Sequence, residues 1–121
     1  MNKAILVIGL PASGKTTYCI DFVKQNSDFV FLDEPKSEAE IANNKFNNLI
    51  IASPFFCIKK NREQIKSVLE KYDFQVEMIF FEKNKEKALI NNSKRNKLIN
   101  MDYWFNAYEL NEDSNIIKIN I

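Results

Sequence analysis

The residues best suited to chemistry stand close together near the start of the chain. Gly9 and Gly14 frame the stretch Gly9-Leu10-Pro11-Ala12-Ser13-Gly14-Lys15-Thr16, and they are the only glycines in the sequence. The spacing G-x-x-x-x-G-K-T lets backbone N–H groups approach phosphate oxygens, because glycine has no Cβ in the way. In such a loop the Lys reaches the β- and γ-phosphates of a nucleotide and the Thr hydroxyl ligates Mg²⁺. The pattern predicts a nucleotide site made of Gly9, Pro11, Ala12, Ser13, Gly14, Lys15, Thr16 and Thr17, with Thr16 as the metal ligand.

Asp33 is the second residue with a chemical use, because it directly follows the apolar run at residues 29–32. A kinase that acts on a hydroxyl needs a carboxylate to orient that hydroxyl and accept its proton. Glu34 lies one residue further on and competes for the role. The structural alternative is a helix cap or a turn before Pro35. We expect Asp33 to be the functional carboxylate.

Arg95 is one of only two arginines and lies in the basic stretch Ser93-Lys94-Arg95-Asn96-Lys97. Phosphoryl transfer spreads negative charge over the transferred oxygens, and an arginine that closes over them stabilises that charge. The stretch predicts a turn that acts as a lid, with a solvated surface cluster as the alternative. The other arginine, Arg62, opens a predicted helix, where a cation opposes the helix dipole. A substrate contact and a surface charge both remain open for Arg62.

Aromatic residues in two places have both a structural and a functional interpretation. Phe55 and Phe56 follow Pro54 at the end of a predicted strand and could form a wall for a nucleobase, but core packing is favoured. Trp104 lies with Phe105 and Tyr108 on one predicted helix, and their spacing favours the core.

The elements that position these residues are indicated by apolar runs that alternate with helical patterns, as in βαβ units around a parallel sheet. The predicted strands are residues 4–8, 29–32, 49–52, 75–81 and 116–119. The predicted helices are residues 16–23, 61–72 and 98–110, with two more opening at the capping box Ser37-x-x-Glu40 and at Asn84. Ligands bind at the carboxyl ends of such strands. We therefore expect the glycine-containing loop, Asp33, Ser53 and the residues after Phe81 to share one rim.

The whole chain has the length and composition of one folded domain, residues 1–121. Apolar residues make up 45% and charged residues 27%, and the net charge of +1 demands neither nucleic acid nor a membrane as partner. The absence of histidine removes the commonest general base and metal ligand. Cys19 and Cys57 show no disulfide or metal spacing, so both are expected to be reduced thiols in the cytoplasm. The apolar run at residues 4–10 is too short for a signal peptide or a membrane span.

The chain resembles the small P-loop kinases related to phage polynucleotide 5′-kinase and zeta-type toxins. The resemblance rests on the loop Gly9 to Thr16, on Asp33, and on Ile79-Phe80-Phe81-Glu82 followed by Ala88-Leu89-Ile90-Asn91-Asn92-Ser93-Lys94-Arg95. It implies an α/β three-layer fold with a five-stranded parallel sheet in the order 2-3-1-4-5, flanked by helices. It also implies ATP–Mg²⁺ as phosphate donor, Asp33 as base and Arg95 as lid arginine. One departure is Ser53, where many P-loop proteins have an Asp that helps to hold Mg²⁺; gluconate-type kinases resemble this chain there.

These observations predict an ATP-dependent kinase with Lys15, Asp33 and Arg95 as catalytic residues. The expected acceptor is a 5′-hydroxyl of a nucleic acid or nucleoside, so a short single-stranded end or a small molecule is the expected partner besides the nucleotide. One alternative is a small-metabolite or nucleotide kinase. Another is a non-catalytic ATP- or GTP-binding switch protein. Against a GTPase, Asn84-Lys85-Glu86-Lys87 lacks the Asp of the base-reading motif N-K-x-D.

Overall fold

A computed structural model describes residues 1–111 and 116–119 of the chain. In chain order the elements of these residues are β1 (Asn2–Ile8), α1 (Lys15–Gln25), β2 (Phe29–Asp33), α2 (Glu38–Ala42), β3 (Asn48–Ala52), a 3₁₀ turn (Pro54–Cys57), α3 (Lys59–Lys71), β4 (Phe74–Phe81), α4 (Lys85–Arg95), α5 (Met101–Ala107) and β5 (Ile116–Ile117). Of these helices, none is long and apolar enough to cross a membrane.

The strands form one parallel sheet in the order β2-β3-β1-β4-β5. The central strand β1 pairs with β3 on one side and with β4 on the other, with Ala4 opposite Leu49 and opposite Val76. A strand with neighbours on both edges and helices on both faces is buried throughout, which explains the continuous apolar run in β1. The predicted sheet and its strand order are confirmed.

Alternate residues of β1 pack into two separate cores, one on each face of the sheet. Leu6 and Ile8 face a core that includes Leu69 of α3 and Met101 of α5. Val7 faces the other core, which contains Cys19 of α1. Because side chains along a strand alternate between faces, this division makes the molecule a three-layer α/β fold.

Two helix starts follow the capping signals in the sequence. The Glu40 carboxylate accepts a hydrogen bond from the backbone N–H of Ser37 at 3.1 Å, which is part of the predicted capping box of α2. The Asn84 side-chain oxygen accepts from the backbone N–H of Lys87 at 3.0 Å and caps α4. Each such cap stabilises its helix by about 1 kcal/mol.

Three predicted boundaries near the carboxyl terminus were wrong. Residues 93–95 are not a turn but the last turn of α4, and the chain bends only at Asn96, whose φ is 53°. The last helix spans Met101–Ala107 rather than residues 98–110. It begins late because the Asn100 side chain caps it, accepting from the N–H of Tyr103 at 3.1 Å. It ends early because the chain turns at Tyr108, whose hydroxyl donates to the carbonyl of Phe81 at 2.6 Å.

The fifth strand is also shorter than the predicted residues 116–119. Only Ile116–Ile117 pair with the sheet, opposite Phe80 and Phe81. Beyond β5 the backbone bonds to a side chain instead of a neighbouring strand: the N–H of Ile119 donates to the Glu82 carboxylate at 2.9 Å. That carboxylate also binds Lys87 Nζ at 2.7 Å, and these bonds lower the pKa of Glu82 below its usual value.

Candidate functional site

A cleft of about 830 Å³ opens at the carboxyl ends of β1, β2 and β3. Its walls bring together residues that are far apart in sequence: Pro11, Ala12, Gly14, Lys15, Thr16, Thr17, Asp33, Glu34, Ala52, Ser53, Pro54, Asn91, Lys94, Arg95, Lys97, Ile99 and Trp104. Six of the eight residues predicted to bind a nucleotide line this cleft, and so do Asp33 and Arg95. Gly9 and Ser13 lie behind the surface of the loop instead.

The loop at residues 9–16 requires both of its glycines. A Cβ on Gly9 would come within 2.7 Å of the Ser13 Oγ and 2.9 Å of the Phe81 Cβ, so no side chain fits there. Gly14 has a φ of 99°, a conformation that L side chains rarely adopt. The Ser13 hydroxyl is buried and has no hydrogen-bond partner among residues 1–111 and 116–119. The loop therefore has the tight backbone curvature of a phosphate cradle, and the Ser13 hydroxyl is its unpaired polar group within the described residues.

Helix α1 starts directly behind this loop and points its amino end into the cleft. Its N-cap residue is Gly14, which has no side chain to cap the first backbone N–H groups. Thr16 and Thr17 in the first turn are exposed and line the cleft. Open N–H groups and the positive end of the helix dipole attract anions, so this end of α1 suits phosphate.

Lys15 is buried, with 8% of its surface exposed, and its ammonium is bound to the loop itself. Nζ donates to the carbonyl of Gly9 at 2.9 Å and to the carbonyl of Leu10 at 2.8 Å. The pKa of Lys15 is lowered to about 8, mainly by burial and in smaller part by the nearby Arg95, while Cys57 and Glu34 oppose the shift. The ammonium is thus held at the cradle and is close to losing its proton at mildly alkaline pH.

Both cysteines lie near the loop as protonated thiols. The Cys57 thiol donates to the carbonyl of Gly9 at 3.1 Å. Burial raises the pKa of Cys57 to about 11 and that of Cys19 to about 12. A thiol with such a pKa is a poor nucleophile at neutral pH, so neither residue adds reactivity to the cleft.

Two carboxylates that line the cleft stand at the end of β2. Asp33 is exposed, while Glu34 is half-buried and has a left-handed backbone with a φ of 47°. The N–H of Glu34 donates to the carbonyl of Ala52 at 2.8 Å, which continues the bonding between β2 and β3 by one residue. Asp33 therefore sits at the last regular position of the strand, where its backbone is fixed.

Ser53 occupies the end of β3, where the sequence suggested a departure from the common metal-binding Asp. It is buried, and its Oγ accepts from the backbone N–H of Phe55 at 3.2 Å, so it caps the 3₁₀ turn. The described residues contain no group of three or more His, Cys, Asp or Glu that could hold a metal. Mg²⁺ needs few protein ligands, because it retains waters and binds substrate phosphates. The exposed Thr16 hydroxyl and the Asp33 carboxylate fit that limited role.

The cations of the cleft come from the end of α4 and the segment after it. Lys94 and Arg95 form the last turn of the helix, and Lys97 follows the bend at Asn96. The Asn92 side chain donates to the carbonyl of Lys97 at 2.9 Å and ties the bend back to the helix. All three cations are exposed. The predicted lid is therefore a capped helix end rather than a free turn.

Arg62 contacts no substrate and carries no surface charge, so both interpretations left open for it were wrong. It is fully buried. Nη1 donates to the carbonyls of Phe56 and Cys57 at 2.8 and 3.2 Å, and the guanidinium lies 5.1 Å from the centre of the Phe80 ring. Its role is to bind the carbonyls of the 3₁₀ turn beneath the cleft.

Aromatic residues form part of the cleft, which the sequence only partly indicated. Phe56 is buried in the core, as favoured, whereas Phe55 is 53% exposed. Trp104 is half-buried: it packs on the core, as its spacing favoured, and it also lines the cleft. No local pattern distinguishes it from Phe105 on the same helix. Only the packing of α5 against the 3₁₀ turn brings its indole to the cleft.

Comparison with known proteins establishes the fold. No protein-family model matches the chain, and no curated protein does so. The crystal structure of a gluconokinase from Sinorhizobium meliloti 1021 has a TM-score of 0.69 at 9% identity, covering 97% of this chain and 82% of that one. The crystal structure of APE1195 has a TM-score of 0.58 at 17% identity, covering 98% of this chain and 85% of that one. At these identities the likeness shows a shared α/β fold with a central parallel sheet.

Proposed function

We propose that the protein is an ATP-dependent kinase that transfers the γ-phosphoryl group to a hydroxyl, with a 5′-hydroxyl of a nucleic acid or nucleoside as acceptor. The observation that carries the proposal is the single cleft lined by Lys15, Asp33 and Arg95. A phosphate cradle, a carboxylate and a cation around one cleft are the three parts that phosphoryl transfer requires.

The donor phosphates would bind the loop at residues 9–16 and the amino end of α1. Lys15 would leave the carbonyls of Gly9 and Leu10 to contact the β- and γ-phosphates. Thr16 would ligate Mg²⁺, and Asp33, which lines the same cleft, would hold one of its waters. The ion supplies charge neutralisation on the phosphate oxygens when it is bound.

In the transfer itself, Asp33 orients the acceptor hydroxyl and accepts its proton. The hydroxyl oxygen forms a bond to the γ-phosphorus while the bond from that phosphorus to the β–γ bridging oxygen breaks, and ADP leaves with that electron pair. Arg95 contacts the transferred oxygens and stabilises their charge. The protein thus contributes position and charge rather than a covalent intermediate.

A second candidate, a small-metabolite kinase, is supported by the fold shared with a gluconokinase. The acceptor of the main proposal, a 5′-hydroxyl, is instead supported by the resemblance to polynucleotide kinases at Asp33 and at residues 79–95. A non-catalytic switch protein is the third possibility, and the Ser53 side chain that caps a turn instead of holding metal is the feature in its favour.

A transfer screen with γ-labelled ATP tests the proposal. The acceptors are DNA and RNA strands with free 5′-hydroxyls, nucleosides, and sugars that include gluconate, each with wild type and with Lys15→Ala. We expect label on the 5′-hydroxyl acceptors with wild type only. Label on gluconate or another sugar alone would replace the proposal by the metabolite kinase. ATP binding without transfer to any acceptor would support the non-catalytic switch protein instead.

A further inference from the structure

An aromatic wall of Phe55, Tyr103 and Trp104 stands at one side of the cleft. Trp104 lines the cleft itself, between Pro54 and Ile99. The side chains of Phe55 and Tyr103 are 53% and 52% exposed, so neither is buried in the core. Only Trp104 of the three lines the cleft, and the exposed rings of Phe55 and Tyr103 contact it, although aromatic rings ordinarily contribute most when buried.

The indole of Trp104 is held in place from two directions. The Phe55 ring meets it edge-to-face with the centroids 5.7 Å apart, and the Tyr103 ring does so at 5.2 Å. Rings in this arrangement stabilise each other beyond their buried area. Trp104 is therefore preorganised, and a flat ligand that stacks on it does not have to order the side chain first.

Trp104 and Asp33 line the same cleft. Asp33 ends β2, and Pro54, which also lines the cleft, follows the neighbouring strand β3. Phe55 comes directly after Pro54, and its ring contacts the indole of Trp104. Because Asp33 is the carboxylate that would activate a hydroxyl, a ring stacked on Trp104 would belong to the acceptor and not to the donor nucleotide.

We propose that Trp104, supported by Phe55 and Tyr103, binds the planar base of the acceptor, and that the acceptor is a nucleoside or the terminal nucleotide of a single strand. This inference rests on the proposed function for the position of the acceptor. Aromatic side chains bind bases without sequence preference, because every base offers a π-face. The wall supplies the recognition of a base, and the adjacent Lys94, Arg95 and Lys97 supply cations for phosphate.

The protein offers its own reporter, since Trp104 is the only tryptophan in the chain. We would follow its fluorescence in the full chain saturated with a non-hydrolysable ATP analogue and Mg²⁺, excited at wavelengths that nucleosides do not absorb. Thymidine and gluconate are the two probes. We expect thymidine to quench the emission to saturation and gluconate to leave it unchanged.

Variants separate stacking from packing, with affinity measured by calorimetry. Trp104→Leu keeps apolar volume but removes the π-face, and should weaken thymidine binding roughly 5- to 150-fold. Trp104→Phe should restore most of the affinity. Phe46→Leu is the matched control, because Phe46 is 86% exposed and precedes β3, at the sheet end away from the cleft. It should bind thymidine like wild type, and an equal loss in this control would overturn the inference.

Other outcomes distinguish this inference from the proposed function. If the ATP analogue alone quenches the emission and thymidine causes no further change, the aromatic wall binds the donor base. That result would overturn the inference of an acceptor base site. Label transfer to gluconate with unaltered Trp104 emission would also overturn it, while the kinase activity stood. Saturable quenching by thymidine without phosphoryl transfer to any hydroxyl would support the base site and contradict the proposed kinase activity.

Discussion

In the nucleotide-free protein, the Lys15 ammonium is bonded to two carbonyls of the loop. It would leave these carbonyls when phosphates bind. Those two bonds satisfy a buried ammonium, but they do not raise its pKa back to the usual value, and it stays at about 8. Bound phosphates would favour the charged form strongly. Binding above that pH is therefore coupled to the uptake of a proton.

ATP affinity should consequently fall as the pH rises through 8. The free protein is protonated at Lys15 below this pH and neutral above it. If only the ammonium binds phosphate well, affinity falls about tenfold between pH 7 and pH 9. Calorimetry in buffers of different ionisation enthalpy measures both the affinity and the proton uptake.

Lys15→Ala is the control for that pH series. It should lose a charge-assisted contact worth roughly 1.5–3 kcal/mol, which weakens binding about tenfold or more at pH 7. The same variant should show no fall in affinity across pH 8. Wild-type affinity in a folded Lys15→Ala protein would contradict the assignment of the nucleotide site.

The carboxylates at the end of β2 can be separated by two matched substitutions. Asp33→Asn should bind ATP normally and lose transfer by roughly 10²–10⁴-fold, the range for a positioned base. Glu34→Gln should keep most of the activity, since Glu34 is bent away from the regular strand by its left-handed backbone. Single-turnover rates with labelled ATP measure both. The reverse result would move the role to Glu34.

At the scale of elements, the 3₁₀ turn Pro54–Cys57 connects the sheet, the cleft and α5. Ser53 caps its start, Arg62 binds its carbonyls from below, and its Phe55 contacts Trp104 from the side. A change in Arg62 should therefore act on stability and only indirectly on catalysis.

Arg62→Met tests this structural role. The variant removes the Nη1 donor to the buried carbonyl of Phe56, while the carbonyl of Cys57 still accepts from the backbone N–H of Glu109. The loss should lower the free energy of unfolding by roughly 1–3 kcal/mol. Lys60→Met, an exposed position on the same helix, should change it by less than about 0.5 kcal/mol. Urea unfolding compares the two. Equal stability would show that the guanidinium contributes nothing that methionine cannot replace.

The elements that could be predicted from sequence are those with local signals. The central strands have unbroken apolar runs, and the α2 and α4 starts have capping residues within one turn. Arg62 and Trp104 could not be placed because their surroundings come from distant segments: Phe80 for the arginine and the 3₁₀ turn for the indole. The end of α5 likewise depends on a bond from Tyr108 to Phe81, 27 residues away in sequence.

At the scale of the whole molecule, the charge near the cleft is small and lies mainly on one wall. The exposed cations that line it are Lys94, Arg95 and Lys97. Arg62 is buried, and Lys59 and Lys60 are not among the lining residues, so none of these three adds an exposed cation to the cleft. An acceptor strand can therefore meet cations along only a short length.

Binding of a short single strand should depend modestly on salt. Contacts with two or three phosphates give a log–log slope of roughly −1.4 to −2, at about −0.7 for each. Lys97→Gln should make the slope less negative by about 0.7, and Lys59→Gln should not change it. The series is measured with the ATP analogue bound. A flat response for the strand, matching that of a nucleoside, would contradict contact with its phosphates.

The position of β2 has a consequence for handling the protein. In the strand order β2-β3-β1-β4-β5, β2 pairs only with β3, so one row of its backbone groups has no neighbouring strand within residues 1–111 and 116–119. Its half-exposed residues 29–32 are all apolar and favour β-structure. Strand addition between molecules is then opposed chiefly by the charges of Asp28 and Asp33 at its two ends. Asp33→Asn removes one of these two charges, so the variant should aggregate more readily than wild type during refolding. Its activity is therefore best compared with that of wild type at low protein concentration.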